Sequence, residues 1–183
     1  MRIAVGVTGA SGAIYGYTLI KALYDLGIEV HAVYTDMGRK VLEYECGHNI
    51  EVIQKYATMY DNADLFAPLA SGSFKMNGMV VVPCSMHTLG ALAGASGRDL
   101  LTRAADVTLK EGRKLVVVPR ETPVTPIHLE NMLKLARSGV VVMPAAPGFY
   151  HKPATVDDIV AFMVGKILDI FAIEHELFKR WGN

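Results

Sequence analysis

Residues 2–27 read RIAVGVTGASGAIYGYTLIKALYDLG, and this stretch decides the fold. Arg2–Val7 is a short, mostly apolar run with the look of a buried strand, whereas Ala13–Leu26 carries apolar side chains at helical spacing. Between them Gly6, Gly9 and Gly12 let the backbone pass directly from strand to helix. Asp25-Leu26-Gly27 then supplies a helix stop.

The same alternation runs through the chain. Glu29–Tyr34, Gly78–Val82, Lys114–Pro119 and Gly139–Met143 read as four further strands, most of them buried on both faces. Met37–Glu45, Met86–Ala95, Leu100–Glu111, Pro126–Ser138 and Val156–Glu174 read as the remaining helices. Strands separated by helices predict an α/β fold, a three-layer parallel sheet with helices on both faces. No repeat, linker or low-complexity segment divides residues 1–183, so one domain is expected.

Composition narrows the function. Eighteen basic residues balance eighteen acidic ones, so the chain lacks the basic footprint of a nucleic-acid binder. The longest strongly apolar runs, Met79–Pro83 and Gly139–Pro147, fall far short of the roughly 20 residues that span a bilayer. Two cysteines, Cys46 and Cys84, make no disulfide framework and no CxxC pair, which with no recognisable signal sequence points to a reducing, cytoplasmic setting. A mean hydropathy of +0.28 points to apolar surface covered by other subunits.

Ligands of open α/β sheets bind beyond the carboxyl ends of the strands, and much of the unusual chemistry collects there. The first such loop, Gly6–Gly12, is spaced GxxGxxG, neither a dinucleotide GxGxxG nor a P-loop. It offers N–H groups and a helix N-terminus to an anion, with Ser11 as a further donor, or else its glycines serve only strand-to-helix packing. Pro83-Cys84-Ser85-Met86-His87-Thr88 places Ser85 as an N-cap, Cys84 as a buried thiol rather than a nucleophile, and His87 on a first helical turn. No histidine spacing suits a metal site.

Arg103 and Lys110 lie seven apart on one helix, hence on nearly one face, with Asp106 between them. They want an anion, either a ligand phosphate or the carboxylates of Asp106 and Glu111. Arg120-Glu121 follows the apolar run Leu115–Pro119. Arg120 suits a phosphate or an electron-rich ring, and Glu121, in a pocket excluding water, suits general acid–base work; a local ion pair is the alternative.

Taken together, these motifs resemble the flavin prenyltransferases, the UbiX-like family that also includes B subunits of hydroxyarylic acid decarboxylase systems. The resemblance runs nearly end to end through GVTGASG at Gly6–Gly12, PCSMHT at Pro83–Thr88, RAADVTLKE at Arg103–Glu111, PRETP at Pro119–Pro123, IHLENMLKL at Ile127–Leu135 and PAAPGFYHKP at Pro144–Pro153. It implies a Rossmann-like, flavodoxin-related subunit that binds FMN and assembles as a homododecamer, with active sites where subunits meet and the C-terminal helix and tail at subunit contacts. It further implies transfer of a dimethylallyl group from dimethylallyl monophosphate to reduced FMN without a metal, and delivery of prenylated FMN to a UbiD-like decarboxylase.

Carried over by position, Gly9, Ala10, Ser11, Thr35, Ser85, Met86, His87, Thr88 and Arg120 match flavin contacts. Arg103, Lys110, Tyr150 and Lys166 match positions around the prenyl phosphate, and Glu45 and Glu121 match active-site carboxylates, Ser11 serving as a proton relay. Leu65 stands where some relatives carry an aromatic residue, and Lys166 where arginine can occur. Competing readings are a cysteine-type FMN decarboxylase, an NAD(P) reductase built on the glycine loop and Asp36, and a non-catalytic flavin-binding partner subunit. The only YxxxK pair, Tyr17–Lys21, falls inside the first helix, away from the strand ends.

Overall fold

The computed structural model describes residues 1–182. Six strands, β1 (Arg2–Val7), β2 (Glu29–Tyr34), β3 (Thr58–Tyr60), β4 (Gly78–Cys84), β5 (Lys114–Pro119) and β6 (Val141–Val142), form one sheet in the order β3-β2-β1-β4-β5-β6. Every pairing is parallel. The helices are α1 (Ala13–Asp25), α2 (Asp36–Cys46), α3 (Ile50–Ile53), α4 (Met86–Ala93), α5 (Leu100–Lys110), α6 (Pro126–Arg137) and α7 (Val156–Ile170). This is a doubly wound Rossmann-like fold, with its switch point between β1 and β4.

Side-chain alternation along the central strands makes two cores. Val5 and Val7 of β1, Val80 and Val82 of β4, and Val116 and Val118 of β5 face α1 and α7, where Leu19, Ile20, Leu23, Met163, Val164, Ile167 and Leu168 meet them. Met79, Val81, Leu115 and Val117 face the other way, onto Leu89 of α4, Leu100, Leu101, Ala104 and Ala105 of α5, and Leu135 of α6. Both faces are therefore dry, which is why these strands read as continuous apolar runs.

The expected elements recur with adjusted ends. Strand β4 continues through Pro83 and Cys84, with an irregular register after Val81. Strand β6 shrinks to two residues because Gly139 takes φ +87° and the Val140 N–H turns back onto Leu135 O, closing α6. Helix α7 stops at Ile170, where the N–H groups of Phe171, Ala172 and Ile173 fold back onto the carbonyls of Leu168 and Asp169. The short β3 and α3 were not expected. Thr58–Tyr60 has no apolar run of its own, and α3 is a single turn.

Helix α1 lies so close to the sheet that a Cβ on Gly16 would stand 2.7 Å from Val82 O and 2.8 Å from Val7 Cγ2. Helix propensity favours alanine there by about 1 kcal/mol, but forcing a methyl into a packed seam against backbone costs about 1–3 kcal/mol. Gly16→Ala is therefore expected to lower the urea midpoint, although it improves the intrinsic helix.

Candidate active site

At the carboxyl edge of the sheet, three helices begin around one cleft of about 580 Å³. Thr35 accepts the Gly38 N–H at 3.0 Å to start α2, Ser85 accepts the Thr88 N–H at 3.2 Å to start α4, and Asp99 accepts the Thr102 N–H at 2.8 Å to start α5. Of the residues matched to flavin contacts, Gly9, Thr35, Ser85, His87 and Thr88 line the cleft, whereas Ala10, Ser11, Met86 and Arg120 do not. A Cβ on Gly9 would fall 2.5 Å from Met37 Cβ, so only glycine lets the first loop and α2 approach this closely.

Thr8, given no role from sequence, ties the switch point together. Its hydroxyl donates to Pro83 O at 2.7 Å and accepts the Ser85 N–H at 2.8 Å, joining the end of β1 to the head of α4. Asp36, which the reductase alternative invokes, lines the cleft too, as do Met37, Asn62, Ser96, Arg98 and Asp99, given no role from sequence. Asn62 is the least legible, because it follows the three-residue β3. It caps α5 from outside, its backbone carbonyl accepting from Leu100 N–H at 2.8 Å and its Oδ1 from Leu101 N–H at 2.9 Å. The D-x-x-T pattern of Asp99 and Thr102 was a visible helix-start signal.

The head of α1 departs from expectation. Its N–H groups at Gly12 and Ala13 are not offered to a phosphate: Glu45, from the last turn of α2, accepts both through Oε2, at 2.8 and 3.1 Å. Gly12 has φ +102° and no side chain to cap the helix, so a carboxylate 33 residues away does it. Desolvation pushes the Glu45 carboxyl up, but hydrogen bonds from Ser11, Gly12 and Ala13, with the Arg120 charge, outweigh it and hold the group below its ordinary range. Arg120 completes the cluster, its Nε donating to Ser11 O at 3.0 Å. Glu45, Ser11 and Arg120 are thus gathered at the head of α1, in the loop that continues from Gly9 of the cleft lining.

Glu121 does not lie in a water-excluding pocket within the chain. It is exposed, and its Oε1 accepts the Thr122 N–H at 3.1 Å. No ion pair joins it to Arg120 among the described residues. Cys84 is fully buried, and desolvation pushes its thiol up to about 12, which suits packing rather than attack. Ala10 is buried within the first loop, and Met86 is half-buried at the start of α4.

The four residues matched to a prenyl phosphate do not meet in one chain. Arg103 and Lys110 share the outer side of α5, where Arg103 pairs with Asp106 at 3.0 Å and donates to Ala70 O at 3.2 Å, and Lys110 pairs with Glu111. Tyr150 follows β6, and Lys166 lies on α7, 3.6 Å from Asp169. Helices α5 and α7 cover opposite faces of the sheet. Several large apolar side chains also stand in solvent, among them Phe66, Ile127, Leu129, Phe149 and Trp181. Among the described residues no helix is long and apolar enough to cross a membrane, and no group of three or more His, Cys, Asp or Glu is arranged to hold a metal ion.

A doubly wound sheet whose cleft at the switch point is ringed by helix N-termini defines a nucleotide-binding α/β protein, and the chain matches the Flavoprotein family over residues 1–168. It is 49% identical to the flavin prenyltransferase UbiX of Methanocaldococcus jannaschii over the full length of both chains. The crystal structure of AnUbiX (PadA1), solved with FMN and dimethylallyl pyrophosphate, superposes with a TM-score of 0.97 at 42% identity, covering 100% of this chain and 97% of that one. A dodecameric FMN-dependent UbiX-like decarboxylase from Escherichia coli O157:H7 gives a TM-score of 0.97 at 45% identity over the whole of both chains. The chain belongs to the UbiX flavin prenyltransferases.

The held-down carboxyl of Glu45 has a pH consequence. A group with a depressed folded-state pKa contributes stability above its unfolded pKa and loses it as pH falls through the folded value. Glu45→Gln is expected to be less stable than the parent at pH 7 and to lose less stability between pH 7 and about pH 3, across the carboxylate range. Urea midpoints at both pH values check this; equal losses in the two proteins would refute it.

Proposed function

We propose that the chain transfers the dimethylallyl group of dimethylallyl monophosphate to N5 and C6 of reduced FMN, releasing phosphate. The prenylated FMN then passes to a UbiD-like decarboxylase. The reading is carried by the gathering of Glu45, Ser11 and Arg120 at the head of α1, in the loop that continues from the lining of a cleft of about 580 Å³, in a chain 49% identical end to end to a flavin prenyltransferase.

The cleft fits FMN. Its volume is that of a small-molecule site, and three helix N-termini border it. Gly9, Ala10, Ser11, Thr35, Ser85, Met86, His87, Thr88 and Arg120 would hold it. Bound in reduced form, FMN supplies the two nucleophilic ring positions that accept the allyl group.

The remaining chemistry belongs to the protein. Breaking the allylic C–O bond expels phosphate, and Arg103, Lys110, Tyr150 and Lys166 stabilise that charge as it develops. Since α5 and α7 lie on opposite faces of the sheet, these residues come together only where subunits meet, in a homododecamer in which α7 and the tail take part. Such contacts would also cover Phe66, Ile127 and Phe149 and enclose Glu121. Glu121 Oε then accepts the proton leaving flavin N5, with Ser11 Oγ as relay and Glu45 holding the loop that carries it. A cytoplasmic location agrees with the two free thiols, Cys46 and Cys84.

Anaerobic incubation with reduced FMN and dimethylallyl monophosphate should yield extracted flavin heavier by one C5H8 unit; unmodified FMN that stays bound would point to a flavin carrier or a decarboxylase instead. Glu121→Gln is expected to keep FMN and to form product at least about tenfold more slowly, the low end for loss of a general acid–base group being about 10². Arg103→Ala should raise the requirement for the allylic phosphate while leaving flavin affinity nearly intact, and equal loss of both ligands would mean a collapsed pocket.

A further inference from the structure

Beyond α7 the chain doubles back, and residues 173–182, though without regular secondary structure, are fastened by three independent features. The first is a notch. A Cβ on Gly165, in the middle of α7, would lie 2.6 Å from both His175 Cε1 and Phe178 Cε1, so rings of the returning tail occupy the space a side chain would need. Glycine inside a helix is less favourable than alanine, and here the docked tail accounts for it.

The second is a carboxylate shared by three partners. Asp169 accepts from Arg180 through both oxygens, Nη2 to Oδ1 at 2.8 Å and Nη1 to Oδ2 at 3.2 Å. His175 Nε2 is 3.2 Å from Oδ1, while its Nδ1 accepts the Leu177 N–H, which leaves Nε2 as the donor to Asp169. Lys166 Nζ is the third partner, at 3.6 Å. The hydrogen bonds from Arg180 are the main reason that the Asp169 carboxyl lies below its ordinary range.

The third is a run of ring contacts that ends on Tyr150. Phe178 packs on Phe162 with centroids 4.9 Å apart, Phe162 meets Tyr150 edge-on at 5.6 Å, and Trp181 meets the same tyrosine edge-on at 5.5 Å. Tyr150 is thus held between a core ring and the last ring of the tail.

We propose that Asp169 is a positioning residue: with the Gly165 notch it latches residues 173–182 onto α7, and the latched tail orients Tyr150 and Lys166 for the allylic phosphate. The inference rests on the assignment of those two residues to phosphate under the proposed function. Asp169 itself touches no substrate. It acts by holding Lys166 from one side and, through Arg180 and Trp181, Tyr150 from the other.

Trp181 is the only tryptophan of the chain, which makes the latch directly observable. In the full-length, FMN-loaded protein, Asp169→Asn and Gly165→Ala are each expected to lower the fluorescence anisotropy of Trp181 and to raise KM for dimethylallyl monophosphate about tenfold. A tenfold change corresponds to about 1.4 kcal/mol, within reach of a charged hydrogen bond. Flavin affinity should stay within about twofold and kcat should change less than KM, the pattern of lost substrate binding. Asp169→Glu, which keeps the charge, should recover part of both signals. Unchanged anisotropy in Asp169→Asn would overturn the latch, and reduced anisotropy with unchanged KM would overturn its positioning role. A parent protein that makes no prenylated flavin would remove the functional reading and the positioning role with it, while the anisotropy would still report separately on the latch.

Discussion

A helix that starts on a left-handed glycine has exposed N–H groups and no side chain of its own to receive them. In this chain Gly12 creates that deficit and Glu45 meets it from the far end of α2. That contact fixes how α2 lies beside α1, sets the path of the loop from Gly9 to Gly12, and presents Ser11 O to Arg120. Thr8 secures the other side of the same loop through Pro83 and Ser85. The cleft therefore depends on a few polar bonds that turn a flexible glycine run into a rigid wall.

Most of the architecture was legible, because strands buried on both faces must be apolar throughout, and crossover helices carry a different period. Arg2–Val7, Glu29–Tyr34 and Lys114–Pro119 appear with the bounds the sequence implies. What escaped was set by long-range contact. Strand β3 exists because β2 offers it an edge, through His31, Ala32 and Val33. Asn62 enters the cleft because it caps a helix 39 residues later. The partnership of Glu45 with Gly12 leaves no local trace either, and the glycine spacing alone suggested an anion from outside.

Of the residues the sequence assigned to a site, the chain brings together only some. The loops at Gly9, Thr35 and Ser85–Thr88 converge on one cleft, as strand order requires. The residues matched to a prenyl phosphate divide between α5 on one face and Tyr150 and Lys166 on the other. Each of the three cations already has a carboxylate neighbour, Asp106, Glu111 or Asp169. Under the proposed function, a phosphate arriving there competes with these internal counter-ions.

The two outermost strands, with three residues in β3 and two in β6, set a limit on how copies of this molecule can join. An edge that short has too few free backbone groups to template another strand. Any joining of copies is therefore left to exposed helix faces and loops, with no competing route of sheet extension into a fibre.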